Sequence, residues 1–299
     1  MNTGPSAKSI RDQLRNLAKV RGQDFNALLT LYGLERFLYR LGVSEASSHF
    51  LLKGGMLFNV WYAIPVRLTR DIDLLRLDPI EELQLKEIIR SVASYNYDDG
   101  IVFDLDSIEM SASKENDNYP GTRFKLFARL QTSEIRIQVD IAAGDSVIVT
   151  ESPTKYSTIF SDMPAPELMT YSIYSVIAEK FETIVKRGIA NSRLKDYFDS
   201  WFFSSHEILD GHELQCAFNN TFARRGTAIP HGNPMGLTAE FLNGDKTKSW
   251  IAFLSTNELT APPLSEVAAF IQELTLPVTS SLITGKPFID RWDGRHWEN

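Results

Sequence analysis

The chain has 299 residues, a length that suits one large domain or two modest ones. Its 31 basic and 38 acidic side chains give a formal net charge of −7, and its 43% hydrophobic residues suffice for an ordinary core. The single cysteine, Cys216, excludes an internal disulfide and a multi-cysteine zinc site, and the five histidines show no metal-ligand spacing.

The first residues of the sequence do not have the pattern of a secretory signal. Residues 1–11 are polar and lack the apolar core of a signal peptide. No run approaches the roughly 18 apolar residues of a membrane span. Together with the lone thiol, these features predict a cytoplasmic protein without membrane attachment, and a monomer is the default expectation.

The first part of the chain mixes helices and strands. Residues 7–41 have helical spacing in three pieces, with Gly22 and Gly33 as the predicted breaks or kinks. A strand at 50–52, a glycine turn at 53–55 and a helix at 56–62 follow. The pattern then predicts a strand at 66–75, a helix at 79–95, and strands at 101–111, 122–131 and 134–142.

The remainder of the chain is mostly helical. Apolar spacing predicts helices at 172–187, 192–203, 211–225, 238–242, 246–256 and 265–273. We therefore expect an α/β (α+β) protein with a mixed sheet in a domain of residues 1–160 and a helical domain of residues 161–299.

Acidic and basic residues are unevenly distributed. Residues 71–118 contain thirteen acidic and four basic side chains, and residues 180–195 contain five basic side chains against Glu182. An acidic stretch next to basic ones suits a metal site with an anionic substrate. Such runs are also found on ordinary solvated faces, so the charges alone decide nothing.

The segment Thr69-Arg70-Asp71-Ile72-Asp73 is the sharpest local feature. On a strand, a period of two places Asp71 and Asp73 on one face with Thr69 beside them. Two neighbouring carboxylates repel each other unless a cation lies between them, which suits Mg²⁺. Gly54 and Gly55, in the turn before this strand, could bring backbone N–H groups close to phosphate oxygens. The alternatives are an ordinary acidic strand face and an ordinary turn.

Two segments of the helical part carry charged residues at helical spacing. Lys180 and Arg187 lie about two turns apart on one flank of a helix, and could bind a triphosphate or an RNA backbone, or simply extend along the surface. In the next helix, Asp196 and Asp199 share a face at a spacing of three, and Ser192 is a predicted N-cap.

The order of these parts resembles the DNA-polymerase-β-like nucleotidyltransferase site, in which a third carboxylate comes from a later strand. Asp140, on the polar face of the strand at 134–142, would supply it, and the alternative is a strand-end acid in solvent. In combination, four strings also resemble the AbiEii-type toxins of type IV abortive-infection toxin–antitoxin systems, which include the MenT-like toxins. They are Leu52-Lys53-Gly54-Gly55, Arg67-Leu68-Thr69-Arg70-Asp71-Ile72-Asp73, the helix from Glu179 to Arg187, and Asn191-Ser192-Arg193-Leu194-Lys195-Asp196 with Asp199.

This resemblance implies a nucleotidyltransferase domain followed by a helical domain that completes the active site. The implied activity is transfer of a nucleoside monophosphate from an NTP to the 3′ end of tRNA, with Mg²⁺, which blocks translation. The implied roles are metal binding by Asp71 and Asp73, triphosphate contact by Lys180 and completion of the site by Asp196. The resemblance further implies a phosphate turn at Gly54 and Gly55, supporting basic residues, and an antitoxin-linked phosphorylation site at Thr69. The supporting basic residues are Arg67, Arg187, Arg193 and Lys195.

Two other functions remain open on the sequence. The same chemistry could act on a protein hydroxyl or a small molecule, in which case RNA binding would be absent. Alternatively, the chain could be a module that binds an NTP or an antitoxin without catalysis. An RNA acceptor would need local basic residues, such as those of residues 180–195 and the pair Arg224-Arg225, to outweigh the net charge of −7.

Overall fold

The computed structural model describes residues 6–62, 67, 69–113, 121–143, 152–243 and 245–298. These residues form two units, of which the first extends to Thr170 and the second begins at Tyr171. The domain boundary predicted between residues 160 and 161 stays a prediction.

The first unit contains four helices and seven strands among its described residues. The helices are α1 (Ala7–Arg21), α2 (Phe25–Val43), α3 (Leu57–Trp61) and α4 (Glu82–Ser94). The strands are β1 (Phe50–Lys53), β2 (Ile72–Arg76), β3 (Ile101–Ser113), β4 (Gly121–Leu130), β5 (Ser133–Ala143), β6 (Thr154–Lys155) and β7 (Glu167–Leu168). Two short 3₁₀ turns, Glu45–His49 and Gly54–Met56, flank β1.

A five-stranded mixed sheet with the order β1-β2-β5-β4-β3 is the centre of this unit. Strands β2 and β5 are parallel and the other neighbours are antiparallel. The alternation read from β5 is confirmed, since Ile135, Ile137, Val139 and Ile141 are all buried. The mixed α/β class is therefore confirmed.

Two helices, rather than three pieces, occupy residues 7–43. The predicted break at Gly22 is confirmed: the residue ends α1 in the left-handed region, with φ +67°. Of the break or kink predicted at Gly33, the break is wrong, because α2 continues through this residue. A Cβ at Gly33 would lie 2.9 Å from Cδ1 of Ile137 and 3.0 Å from Cγ2 of Ile135, so the glycine allows the helix to approach the sheet closely.

Two further predictions need correction. The strand predicted at 66–75 begins only at Ile72, so Thr69 and Asp71 precede the strand; residues 63–66 and 68 lie outside the described residues. Ser192 does not cap the helix after it, because α6 begins at Leu194 and the backbone N–H of Arg193 donates to Oδ1 of Asn191 instead, at 2.9 Å.

The second unit is mainly helical. Its helices are α5 (Ile173–Arg187), α6 (Leu194–His206), α7 (Gly211–Arg225), α8 (Ala239–Leu242), α9 (Asp245–Thr256) and α10 (Leu264–Thr284). Three short strands that the sequence analysis did not predict, β8 (Leu209–Asp210), β9 (Arg291–Trp292) and β10 (Trp297–Glu298), form a small sheet. Aromatic rings fill the core, as where Phe181 of α5 stacks on Phe218 of α7 with ring centroids 5.1 Å apart.

Helix α10 extends well beyond the predicted 265–273 and continues through Pro277. In the described residues it is the one helix long and apolar enough to cross a membrane, on length and composition only, and a buried core helix passes the same test. Its buried residues Val267, Ile271, Leu274 and Val278 recur at helical spacing. That stripe packs inside the second unit, which accounts for the apolar composition.

Candidate active site

Three carboxylates meet beside the start of β2, on two inner strands of the sheet in the first unit. The parallel register of β2 and β5 places Asp73 directly beside Asp140, and Asp71 lies just before β2. One carboxylate oxygen from each of Asp71, Asp73 and Asp140 lies within 4.8 Å of the other two. The structure thus brings the predicted third carboxylate to the predicted pair, although Asp71 reaches it from the segment before the strand and not from a shared strand face.

The cluster belongs to a row of charged residues that crosses four neighbouring strands. Lys53 of β1 pairs with Asp73, Asp73 with Asp140, and Asp140 with Arg123 of β4. Residues paired across strands place their side chains on the same face of the sheet. Two cations therefore flank two carboxylates, with Asp71 added from the preceding segment.

Asp140 is the most tightly held of the three acids. Arg123 donates to it twice, from Nε to Oδ1 at 2.7 Å and from Nη2 to Oδ2 at 3.0 Å, and Gln138 donates to Oδ2 at 2.9 Å. Asp140 is only 5% exposed, so the alternative of a strand-end acid in solvent is wrong. A buried carboxylate needs such partners to remain charged.

Sequence reasoning missed Arg123, although a signal was present. The turn at Gln131 and Thr132 pairs Leu130 with Ser133, and the antiparallel register continues without a shift. Counting back from that turn places Arg123 opposite Asp140. The register of a tight hairpin therefore predicts this pair once the hairpin is recognised.

The glycine turn packs directly against the acidic cluster. Gly54 has φ +70°, and a Cβ there would collide with Oδ2 of Asp73 and come within 2.7 Å of its Cγ. A Cβ at Gly55 would lie 2.7 Å from Oγ1 of Thr69 and 3.3 Å from Nη1 of Arg67. Only glycine fits at Gly54, where both the backbone conformation and the neighbouring carboxylate exclude a side chain.

Thr69 and Arg67, which the sequence analysis assigns to the site, both lie beside this turn. The Thr69 hydroxyl is 3.2 Å from Oδ1 of Asp71, to which it donates, and the residue is only 5% exposed. The guanidinium of Arg67 lies over the ring of Phe58, 5.3 Å from its centroid. The first unit therefore groups seven predicted site residues around one turn and one strand pair: Gly54, Gly55, Arg67, Thr69, Asp71, Asp73 and Asp140.

The second unit contains a separate cluster of charged residues on α5 and α6. Lys180 Nζ lies 2.6 Å from Oδ2 of Asp199 and 3.5 Å from Oδ1 of Asp196, and Arg193 Nε lies 2.9 Å from Oδ2 of Asp196. Both aspartates are almost fully buried. The predicted shared face of Asp196 and Asp199 is confirmed, and Asp199 is the nearer partner of Lys180, a role that sequence reasoning left unassigned.

Lys195 and Arg187 occupy less enclosed positions. Arg187 is exposed in the last turn of α5, and Lys195 is half-buried in the first turn of α6. In the described part of this unit, neither forms an ion pair with Asp196 or Asp199.

Tyr197 lies next to Asp196 on α6. Burial raises the pKa of the Tyr197 hydroxyl, which donates to the backbone oxygen of Gly236 and stays protonated.

The arginine pair of α7 is engaged inside the second unit. Arg224 and Arg225 each lie 3.1 Å from Oε1 of Glu179, and Arg225 also lies 2.7 Å from Oε2 of Glu182. The side chains are about nine-tenths buried. The suggestion that this pair receives an RNA end therefore needs correction, because the two guanidinium groups lie inside the unit and not on its surface.

The two clusters differ in the chemistry that they can perform. Three carboxylates with oxygens a few ångströms apart are a ligand set for a hard divalent cation such as Mg²⁺ or Mn²⁺. The cluster around Lys180 presents ammonium and guanidinium groups held by buried acids, an arrangement suited to phosphate oxygens.

Comparison with known proteins agrees with this chemistry. A family model described as "Nucleotidyl transferase AbiEii toxin, Type IV TA system" matches residues 36–273. Two solved structures from Helicobacter pylori also match this chain. One is JHP933, with 14% identity, a TM-score of 0.46, and coverage of 84% of this chain and 90% of that one. The other, proposed to be a nucleotidyltransferase, has 15% identity, a TM-score of 0.44, and coverage of 85% and 94%. A search of curated proteins gives no significant match.

Proposed function

Because this chain belongs to the AbiEii family of nucleotidyl transferase toxins of type IV toxin–antitoxin systems, we propose that it transfers a nucleoside monophosphate from an NTP to the 3′ end of tRNA, with Mg²⁺. The observation that carries the proposal is the group of Asp71, Asp73 and Asp140, with carboxylate oxygens within 4.8 Å, beside the glycine turn. Modification of the tRNA 3′ end would block aminoacylation and hence translation.

The three carboxylates would hold the metal ion. When bound, Mg²⁺ supplies positive charge that lowers the pKa of the attacking hydroxyl and offsets the charge of the leaving pyrophosphate. The turn at Gly54 and Gly55 leaves room for phosphate oxygens to approach backbone N–H groups, since no side chain projects there. Arg67, whose guanidinium lies over the ring of Phe58, would add positive charge next to Gly55 of the turn.

The cluster of the helical domain would bind the triphosphate. Lys180 would contact the phosphates, and Asp199 and Asp196 hold its ammonium group in place. Arg193 is positioned through Asp196. We keep the domain boundaries predicted from the sequence, 1–160 and 161–299, as part of this proposal.

The RNA acceptor would use basic residues for which the described part of the chain shows no acidic partner. Lys186 and Arg187 are exposed at the end of α5, and Lys195 is half-buried nearby on α6. Arg224 and Arg225 are not assigned this role, because their side chains are about nine-tenths buried. Binding to the phosphate backbone would then weaken as the salt concentration rises.

Membership of a type IV toxin–antitoxin family implies an antitoxin partner. We propose that the antitoxin acts on Thr69, whose hydroxyl donates to Asp71. A phosphate there would place roughly −2 charge against the metal-binding carboxylates and inactivate the site. We also propose that the protein works as a monomer in the cytoplasm.

The test is to incubate the pure protein with Mg²⁺, total tRNA and each labelled NTP in turn. Label in the tRNA band that disappears with Asp71→Ala supports the proposal and identifies the nucleotide. Asp78→Ala is the matched control, because it removes an exposed carboxylate of the same unit that pairs with His49 at the surface, and it should keep wild-type labelling. No labelled RNA with any NTP would contradict the proposal, and labelled protein instead would indicate a protein hydroxyl as the acceptor.

A further inference from the structure

The charge of the acidic cluster depends on one residue that no motif includes. Asp71, Asp73 and Asp140 together carry three negative charges within a few ångströms, and like charges so close raise each other's free energy. Arg123 is the cation that approaches Asp140, with a two-point contact at 2.7 and 3.0 Å. This guanidinium offsets one of the three negative charges, in addition to Lys53, which pairs with Asp73 on the neighbouring strand.

The position of Arg123 is set by the sheet and not by a flexible loop. It lies on β4 directly opposite Asp140, and eight flanking pairs from Thr122–Ile141 to Leu130–Ser133 keep the same register. Its side chain is 29% exposed and that of Asp140 is 6% exposed, so solvent screens the pair only partly. A guanidinium in this place holds the plane of the carboxylate as well as its charge.

Resting on the proposed metal site, we infer that Arg123 is a positioning residue that acts through Asp140: it offsets the charge of this carboxylate and so weakens the attraction of the cluster for a divalent cation. Without this guanidinium the cluster would carry one more uncompensated negative charge and would attract the cation more strongly.

This role predicts opposite changes in two properties when the positive charge is removed. Arg123→Met should bind Mn²⁺, used as the probe for Mg²⁺, about tenfold or more tightly, because one positive charge a few ångströms from a divalent ion is lost. The same variant should melt at a lower temperature without metal, because Asp140 stays buried without its partner. A purely structural ion pair would lower the melting temperature and leave Mn²⁺ affinity unchanged.

The experiment measures the dissociation constant of Mn²⁺ by calorimetry on the full-length, metal-free protein, together with its melting curve. Arg123→Lys keeps the charge and should stay within about threefold of wild type, whereas Asp140→Asn should weaken binding about tenfold or more. Arg129→Met is the matched control: it removes an exposed arginine from the same strand, about 20 Å away at the spacing of a β-strand, and should leave the affinity unchanged.

The outcomes separate this inference from the proposed function. Wild-type protein that binds Mn²⁺ with Arg123→Met no tighter would overturn the role of Arg123 and leave the metal site intact. Wild-type protein that binds no Mn²⁺ would overturn both. Arg123→Gln makes the same charge change with a polar side chain, so it provides the measurement if Arg123→Met does not fold.

Discussion

The ammonium group of Lys180 lies 2.6 Å from a carboxylate oxygen of Asp199 and 3.5 Å from one of Asp196, so the buried Asp199 is its principal partner. Asp196 is shared with Arg193. Two cations and two carboxylates therefore form a balanced cluster in which both carboxylates are almost fully buried. Removal of one acid from such a cluster leaves an uncompensated positive charge, which is costly in a poorly solvated site.

Asp199→Asn should therefore destabilise the second unit by about 2–4 kcal/mol, because Lys180 loses its nearest counter-charge. Urea unfolding, monitored by tryptophan fluorescence, gives the free energy of unfolding. Lys248→Ala breaks an ion pair in which both side chains are more than four-fifths exposed and should cost less than about 0.5 kcal/mol. Equal effects of the two variants would show that burial of Asp199 contributes nothing.

Gly54→Ala should abolish nucleotide transfer. The new Cβ would occupy the place of Oδ2 of Asp73 and force that carboxylate away from Asp71 and Asp140. A displacement of about 1 Å in a catalytic group can reduce the rate about 100-fold. Transfer of labelled nucleotide to the acceptor, measured as an initial rate, provides the test.

Gly22→Ala is the control for this variant. Gly22 has a similar φ of +67°, but nothing lies within 4 Å of a Cβ built there. It should show the cost of the left-handed backbone alone, about 1–2 kcal/mol in unfolding free energy, with normal transfer. If both alanine variants keep full transfer, the close approach of Gly54 to Asp73 has no importance for the reaction.

Asp71→Asn should make the metal-free protein more stable while it removes the response to Mg²⁺. Mutual repulsion in the cluster falls by one charge, worth about 1 kcal/mol at these distances in a well-solvated site, and the asparagine oxygen can still accept from Thr69. Wild-type protein should melt at a higher temperature when Mg²⁺ is added, because the ion binds only the folded state. A variant that melts lower than wild type without metal would contradict the repulsion, and one that still responds to Mg²⁺ would contradict the ligand role.

Local patterns predicted much of the site because its parts lie in short strings. The alternation of β5 identified Asp140 as a polar residue next to a buried face, and the glycine turn followed from Gly54 and Gly55. What local patterns could not supply is which strands pair. Asp73 and Asp140 are 67 residues apart in sequence, and only the parallel pairing of β2 and β5 makes them neighbours.

The sequence analysis missed the continuous helix at Gly33 and the role of Asp199 because packing between separate elements decides both. Gly33 looked like a helix break because glycine is a poor helix former, yet close packing on Ile135 and Ile137 outweighs that preference. Asp199 looked like one of two equivalent acids, since spacing alone cannot show which of them a residue on another helix will contact. The partner of Lys180 is set by how α5 and α6 pack.

Thr69→Glu should reduce nucleotide transfer about tenfold or more, because a fourth carboxylate would face Asp71. The site around Thr69 is crowded, with Oγ1 only 2.7 Å from the place of a Cβ on Gly55, so size alone could also disturb it. Thr69→Gln is the matched control, with the size of glutamate and no charge. The charge is responsible only if Thr69→Gln keeps several-fold more activity than Thr69→Glu, measured as initial rates at the same Mg²⁺ concentration.

A buried acid in the first unit should make its stability depend on pH. Glu35 of α2 is fully buried, accepts from the backbone N–H of Ile159 at 2.7 Å and pairs with Arg36 at 2.8 Å. Burial raises the pKa of Glu35 to about 7, against the opposing effect of Arg36. The folded state therefore binds this proton more tightly than the unfolded state, so the contribution is favourable at low pH and is lost as pH rises from about 4.5 towards 7.

Glu35→Gln should remove this dependence, because glutamine stays neutral and can still accept from Ile159. Relative to the variant, the wild-type free energy of unfolding should fall by up to about 3 kcal/mol between pH 5 and pH 8, as Glu35 loses its proton in a buried position. Urea unfolding of both proteins at each pH provides the difference directly. A constant difference across this range would mean that Arg36 keeps Glu35 ionised throughout, so that the ion pair and not burial sets its pKa.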